Sequence, residues 1–290
     1  MHDRIVVIDH RCVELHDAFM RFVPRVFPQI CFRRWYEFGG WEPSYRAFAL
    51  FDGEEIVANV SIQRMSMVVN GAACTGLQLG AVGVLPEQRG RGLQRKLMEF
   101  VLKQATPNDL VFVFGNDEVV DFYPRFGFRR QEEWIFSTDA RIAPQPGGLR
   151  RLSVDCASDR ALLAATAARA RPVTERFGAT RYDSVLLWYW SNGLGFEAYY
   201  HERDAAIVFL EQDANVLRIC DVLAAGVIDL EAYFPHLIGE PIDHVEFGFT
   251  PERYCSHARA EFEYLESPLF VYGKRTLPSE PFKFPVLAQT

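Results

Sequence analysis

A strand, a turn that contains two glycines and a helix follow one another within the first half of this chain. Residues Thr75–Val84 alternate as a strand does, Arg89–Gly92 form the turn, and Leu93–Ala105 carry apolar residues at helical spacing. Glycine lets the backbone approach a bulky anion without a Cβ in the way, and the free N–H groups of a helix's first turn point toward such an anion. This order predicts an anion site of pyrophosphate size between the strand and the helix.

The turn is neither of two common nucleotide-binding motifs. It lacks the Gly-Lys-Ser/Thr of a Walker loop, and the third glycine of a dinucleotide-binding fingerprint is missing. Basic residues flank the glycines and add positive charge where a phosphate would sit: Arg89, Arg91, Arg95 and Lys96. The alternative is an ordinary arginine-rich helix start after a glycine turn.

The rest of the first half predicts strands joined by tight turns, with helices between them. Strands are predicted at Arg4–Ile8, Tyr45–Phe51, Glu55–Val69, Leu110–Phe114 and Phe128–Thr138. Helices are predicted at Ala18–Phe27, which Asp17 would cap, at Arg33–Phe38 and at Asn116–Phe126. The sum is a mixed, mostly antiparallel sheet flanked by helices, in the α/β (α+β) class.

Composition and charge exclude several classes of protein. The 290 residues are enough for two domains, and 49% hydrophobic with 24% charged residues is ordinary globular usage. The net charge is −7, and the first half carries as many basic as acidic residues, so a basic footprint for nucleic acid is absent. No apolar run approaches the roughly 18–20 residues of a membrane span, nor the core of a signal peptide. We expect a cytoplasmic protein whose partners include neither nucleic acid nor membrane.

The cysteines predict neither a metal site nor a disulfide framework. They occur singly, without a Cys-x-x-Cys pair and without histidines at the spacings typical of zinc sites: Cys12, Cys31, Cys74, Cys156, Cys220 and Cys255. We therefore expect free thiols and no bound metal.

Three motifs in the first half resemble those of one enzyme family. The segment Val84–Leu93 is similar to an acetyl-CoA signature, Val-x-Pro followed by Arg-Gly-x-Gly. Asn116 is followed by Tyr123, and Gly127-Phe128 comes next, as near the end of the same domain. In these motifs and in the order of its elements, the chain resembles the GNAT N-acetyltransferase family over roughly residues 1–140. The resemblance implies the GNAT acyl-CoA N-acyltransferase fold.

The resemblance also implies a role for each matching residue. Strand-end backbone groups at Val82, Gly83 and Val84 would bind the pantetheine arm of acetyl-CoA. Backbone amides would wrap the pyrophosphate at Arg89, Gly90, Arg91, Gly92, Leu93 and Gln94, and Asn116 would contact the cofactor. Tyr123 would protonate the departing thiolate, a role that suits a phenol because its unperturbed pKa, about 10, is near the thiol's, about 8.5. The alternative for Tyr123 is a core aromatic.

Two positions depart from the family pattern. Gln94 stands where the signature has Gly or Ala, so its side chain would either crowd the pyrophosphate or add a hydrogen bond to it. Val111 stands where many relatives have a glutamate base. A water chain or another carboxylate would then take the proton of the amine, with Glu37, Asp117 and Glu118 as candidates.

The second half predicts a weaker copy of the same fold. The turn-rich segment Pro144–Gly148 indicates a linker, which divides the chain into a GNAT domain at 1–143, a linker at 144–150 and a second domain at 151–290. Strands and helices follow in the same order beyond it, yet no Arg-Gly-x-Gly occurs between Val222 and Asp229. We expect a tandem pair whose second copy has lost cofactor binding and supports the acceptor side.

Two classes of function follow from these motifs. The first is an N-acetyltransferase that moves an acetyl group from acetyl-CoA, its cosubstrate, to a small primary amine by direct attack. The second is a non-catalytic acyl-CoA-binding or sensory module, which the valine at position 111 favours. Transfer of a different acyl group is a third reading, because no motif marks the acyl pocket.

Overall fold

The computed structural model describes residues 4–116, 119–194, 196–264 and 267–290. Its strands are β1 (Ile5–Ile8), β2 (Tyr45–Asp52), β3 (Glu55–Val69), β4 (Ala72–Val84), β5 (Asp109–Phe114), β6 (Phe128–Gln131), β7 (Trp134–Ile142), β8 (Arg150–Arg151), β9 (Phe177–Thr180), β10 (Glu197–His201), β11 (Ala206–Asp213), β12 (Val216–Leu223), β13 (Ile242–Phe247), β14 (Arg259–Phe262) and β15 (Leu269–Tyr272). Its α-helices are α1 (Val13–Val26), α2 (Arg33–Glu37), α3 (Leu93–Leu102), α4 (Ala157–Ala167), α5 (Asp183–Ser191) and α6 (Phe234–Leu237). None of these described helices is long and apolar enough to cross a bilayer.

Two sheets of similar construction contain these strands. The first has the order β1-β2-β3-β4-β5-β15-β6, with β9 pairing to β3, and the second has the order β14-β7-β13-β12-β11-β10-β8. Within each sheet, one neighbouring pair of the described strands is parallel, β4 with β5 and β12 with β13, and the other pairs are antiparallel. The mixed, mostly antiparallel α/β fold that the sequence predicts is confirmed, and two such sheets agree with a tandem pair.

The two sheets exchange strands with each other. The predicted strand Phe128–Thr138 is wrong as a single element, because β6 pairs in the first sheet and β7 in the second. Between them, the buried Glu133 accepts a hydrogen bond from the Phe284 N–H at 2.7 Å, which anchors the crossing point. Late in the chain, β15 returns to the first sheet and lies between β5 and β6. Each sheet therefore contains strands from both sides of residues 144–150. The division of the chain into domains at 144–150 stays a prediction.

An apolar cluster joins the two sheets into one packed body. It contains phenylalanines from both halves of the chain, all fully buried: Phe112, Phe177, Phe209 and Phe284. Phe284 lies 5.3 Å from Phe112 and 4.9 Å from Phe177 between ring centroids. Residues near the C-terminal end of the chain thus pack directly on a central strand of the first sheet.

Helix ends differ most from the sequence predictions. Helix α1 begins at Val13 and makes no side-chain cap hydrogen bond, so Asp17 lies inside the helix and does not cap it. Of the helix predicted over 116–126, the described part contains a 3-10 turn at Tyr123–Phe126. Pro124 and the left-handed Gly127, with φ of 88°, keep this turn short.

Candidate functional site

The glycine turn leaves an open space in front of helix α3. Gly90 and Gly92 have φ values of 77° and 74°, a left-handed conformation that favours glycine, and a Cβ built on either meets nothing within 4 Å. Gly92 is the N-cap of α3, so the first N–H groups of that helix have no acceptor within the helix. The glycine turn therefore has the open space and the free helix N–H groups that the sequence predicts for an anion site.

A cavity of about 360 Å³ lies against this turn. It is lined by Val84, by residues 88–95 and by Phe122, Arg125 and Phe126. All the charged residues in that lining are arginines, so an anion would enter a positively charged groove. Arg125 belongs to the turn at Tyr123–Phe126, and the sequence motifs did not single it out.

Gln94 faces strand β3 and not the glycine turn. Its Nε2 atom donates to the backbone oxygen of Asn59 at 3.4 Å. Its Oε1 atom, like that of Gln88, is buried without a hydrogen-bond partner among the described residues. The Gln94 side chain is thus hydrogen-bonded to β3. Gln94 also lines the groove, and its Oε1 atom accepts no hydrogen bond from the described residues.

Strands β4 and β5 part next to the groove. Their parallel pairing reaches Leu79 and Val113, whereas β4 runs on to Val84. A bulge at the same point shifts the register against β3, and Ala81 takes a φ of 46° there. The Asn59 Nδ2 atom donates to the Ala81 oxygen at 2.9 Å and holds the bulge in place.

The strand-end residues Val82, Gly83 and Val84 follow this bulge, beyond the last pair with β5. Gly83 has a packing reason to be glycine, because a Cβ there would lie 2.5 Å from the Val26 Cγ1 atom of α1. The missing side chain lets α1 lie close against β4.

Tyr123 lies inside an aromatic cluster beside the opening. Its ring centroid is 5.3 Å from those of Phe122 and Phe270, and burial raises the pKa of its phenol. A Cβ at Gly115 would lie 3.0 Å from the Tyr123 Cε2 atom, so the glycine makes room for the ring. The hydroxyl has no hydrogen-bond partner among the described residues, and Tyr123 itself is buried and lines neither the groove nor the pocket described below.

Asn116 lies just beyond the end of β5, and its side chain is exposed. Its backbone oxygen accepts from the Val119 N–H at 3.1 Å, which starts the turns that lead to Tyr123. Asn116 and Tyr123 thus both lie in the connection between β5 and β6.

A second, narrow cavity of about 80 Å³ lies at the bulge of β4. It is lined by Gly80 and Ala81, by the apolar Ile30 and Val185, and by five aromatic residues: Phe27, Phe32, Trp35, Tyr45 and Trp188. Its polar lining residues are Gln63, Ser184, Gln289 and Thr290. It is an apolar pocket with a few hydrogen-bonding groups, as small-molecule sites generally are.

The second half of the chain supplies one side of this aromatic pocket. The Trp35 Nε1 atom donates to the Ser184 oxygen at 2.8 Å, which joins α2 to α5. The Thr290 N–H donates to the Gln78 Oε1 atom at 2.8 Å, and a Cβ at Gly80 would lie 2.9 Å from the Thr290 Oγ1 atom. Residues 288–290 thus lie along β4, and no local sequence pattern indicated this contact.

Of the three carboxylates that the sequence proposes as the base, the structure describes Glu37. Val111 is buried in the core, Glu37 is exposed at the end of α2, and Asp117 and Glu118 lie outside the described residues. Sequence reasoning missed Glu42, a half-buried residue close to the pocket residue Tyr45. Burial, with the nearby Asp183 carboxylate, raises the pKa of Glu42 to about 7.

Comparison with known proteins agrees with this geometry. The model of the acetyltransferase (GNAT) domain matches residues 10–130. No curated protein matches the chain. The structure resembles Eis1 from Mycobacterium abscessus, with a TM-score of 0.56 at 15% identity over 93% of this chain and 73% of that one. It also resembles a GCN5-related N-acetyltransferase from Kribbella flavida, with a TM-score of 0.53 at 19% identity over 93% and 71% of the two chains.

The domain match supports an acyltransferase that takes its acyl group from an acyl-CoA. That match is to the acetyltransferase (GNAT) domain, and its residues, 10–130, make up less than half of the chain. At identities this low, the solved structures establish the shared fold and leave the substrates to be proposed.

Proposed function

We propose that this protein transfers an acetyl group from acetyl-CoA to a primary amine by direct attack. The observation that carries the proposal is the position of the two cavities at the free end of β4. Val84 lines the arginine-rich groove, whereas Gly80 and Ala81 line the aromatic pocket. A thioester lying along residues 82–84 would thus meet an acceptor amine that enters from the other side.

The groove suits the cofactor's charged end. The N–H groups of Arg91–Gln94 and the surrounding arginines would bind the pyrophosphate, and the strand-end N–H and C=O groups of Val82, Gly83 and Val84 would bind the pantetheine. Asn116 would contact the cofactor from the end of β5.

The reaction needs two proton transfers. The neutral amine nitrogen attacks the thioester carbon, a C–N bond forms, the C–S bond breaks, and strand-end N–H groups stabilise the negative charge on the carbonyl oxygen. Tyr123 gives its proton to the leaving thiolate. We assign the other transfer to Glu42, because its backbone oxygen accepts from the N–H of the pocket residue Tyr45 at 3.0 Å and burial raises the pKa of its carboxyl to about 7, a value suited to a base at neutral pH.

The pocket's chemistry suggests the acceptor class. Aromatic walls favour an apolar or aromatic body. Asp183 precedes the lining residue Ser184 and lies near Glu42, and this negative charge behind the pocket favours a cationic amine. The competing function, a non-catalytic acyl-CoA-binding module, is favoured by the buried Val111 at the family's base position.

Release of the CoA thiol across a panel of arylalkyl and alkyl amines separates the two functions. We expect turnover by the wild-type protein, and a loss of about 100-fold or more in kcat for Tyr123→Phe with unchanged CoA affinity, as removal of a general acid costs. The control is Tyr272→Phe, a tyrosine beside Phe128 in the same cluster. No turnover with any amine, together with tight CoA binding, would favour the binding module.

A further inference from the structure

Three side chains with metal-binding atoms converge on the second sheet's loops. Glu231 opens a 3-10 turn after β12, and Cys255 and His257 lie between β13 and β14. Their ligand atoms all lie within 4.8 Å of one another. The Cys255 Sγ atom is 3.6 Å from the His257 Nε2 atom, which is 3.9 Å from the Glu231 Oε1 atom.

These separations fit a tetrahedral ion. Zinc bonds of about 2.3 Å to sulfur and about 2.0–2.1 Å to nitrogen place the two ligand atoms roughly 3.5 Å apart, close to the Cys255–His257 distance. The corresponding oxygen–nitrogen separation is about 3.4 Å, so the Glu231 carboxylate would move inward by about half an ångström. It is free to do so, because its side chain is 45% exposed.

The backbone holds the sulfur in position. Cys255 is 3% exposed, its N–H donates to the Pro251 oxygen at 2.8 Å, and its own oxygen accepts from the Ala258 N–H at 3.3 Å. The histidine and the glutamate reach this buried sulfur from the solvent side. Cys255 is thus fixed in place, whereas Glu231 and His257 can adjust. Because zinc takes four ligands, water would occupy the fourth position.

The donor set selects the metal. A thiolate and a carboxylate together carry two negative charges, which balance a divalent cation. Imidazole and thiolate suit zinc, whereas magnesium and calcium prefer oxygen ligands alone and copper(I) prefers sulfur. We propose that Glu231, Cys255 and His257 bind a zinc ion, with the Cys255 thiol proton released to solvent on binding.

The site is separate from the acyl-transfer machinery. None of its three residues lines the arginine-rich groove or the aromatic pocket. The ion would join the turn after β12 to the connection before β14, so its effect is on the stability of the second sheet. The amino-acid sequence predicts no metal site here, because the set combines a Cys-x-His pair with a glutamate from a different loop.

Zinc titration of the full-length chain, after chelator treatment and desalting, tests this site. With a chromophoric chelator as competitor, we expect one zinc ion to bind per chain and the melting temperature to rise with zinc but not with magnesium. With cobalt(II) as a probe, we expect a thiolate charge-transfer band that Cys255→Ser abolishes and Cys156→Ala, at an exposed cysteine, retains.

Variants at the exposed ligands avoid disturbing the core. His257→Asn should raise the Kd for zinc by roughly 100-fold or more, since even an outer-shell partner is worth 10–100-fold, and Glu231→Gln should weaken binding in the same direction. His10→Asn, an exposed histidine beside the first sheet, should bind zinc as the wild type does. Wild-type affinity in His257→Asn, or no zinc bound by the wild-type chain, would overturn the proposal.

Discussion

Gly90 and Gly92 serve a different purpose from the other glycines near the site. Both hold left-handed φ angles and face open space, whereas Gly83 and Gly115 make room for Val26 and Tyr123. Two glycines thus shape a surface for a ligand, and two allow close packing behind it. The arginine side chains supply the positive charge of the groove, whereas the backbone of the glycine turn determines where the first N–H groups of α3 point.

Gly92→Ala should weaken CoA binding. An alanine at this φ costs about 1–2 kcal/mol in the left-handed conformation, so the turn would relax and move its N–H groups away from the pyrophosphate. Isothermal titration with CoA should show about a 5- to 30-fold rise in Kd. Gly53→Ala is the matched control, because Gly53 has a φ of 60° and also faces open space, but lies in the β2–β3 turn. Equal CoA affinity in both variants would contradict the assignment of the groove.

Strand β15 connects the stability of the fold to the position of Tyr123. It lies between β5 and the edge strand β6 of the first sheet although it is encoded near the end of the chain, and its Phe270 ring lies against Tyr123. Residues 269–272 therefore join β6 to β5 and through it to the rest of the first sheet. The general acid we propose is held by an element from the other half of the chain.

Phe270→Ala should lower the free energy of unfolding by about 3–5 kcal/mol, the cost of a large cavity in a packed core. Urea denaturation followed by tryptophan fluorescence would measure it. Phe262→Ala, at a position 58% exposed on the edge strand β14, should cost under about 1 kcal/mol. Similar losses in the two variants would contradict the placement of Phe270 in the packed core between β5 and β6.

Buried carboxyl groups link the stability of the whole molecule to pH. Burial raises the pKa of Glu133 to about 7, against the opposing effects of Lys283 and of the Phe284 N–H. It also raises the pKa of Asp221 to about 6, although Tyr182 and the Val222 N–H donate to that carboxylate. The folded chain therefore holds these protons at pH values where the unfolded chain has lost them.

The free energy of unfolding should fall as pH rises from about 4.5 to about 7. In this window the folded state binds more protons than the unfolded one, so the contribution present below the unfolded pKa values is lost, at up to about 1.4 kcal/mol per pH unit for each group. Glu133→Gln keeps an acceptor for the Phe284 N–H and should remove its part of the slope. Urea titrations across this range measure the effect, and an unchanged slope in the variant would contradict the assignment.

Local chemistry accounts for the parts of this protein that the sequence predicts correctly. The glycine turn, helix α3 and strands β2–β5 depend on neighbours a few residues away, through alternation, helical spacing and positive φ angles. The motif residues of the proposed cofactor groove are also close together in the chain, between Val82 and Gln94 and between Asn116 and Tyr123. For this reason the sequence alone was enough to indicate a GNAT domain.

Long-range packing decides the rest. The split of 128–138 between two sheets, the return of β15, the Thr290 contact with Gly80 and the approach of Glu231 to Cys255 all join residues distant in sequence. No period or turn signal encodes such partners, because they are chosen by which buried surfaces fit together. The proposed cofactor groove is therefore predictable from the amino-acid sequence, whereas the proposed acceptor pocket, the approach of Glu42 to Asp183 and the proposed zinc site form only once distant parts of the chain have packed.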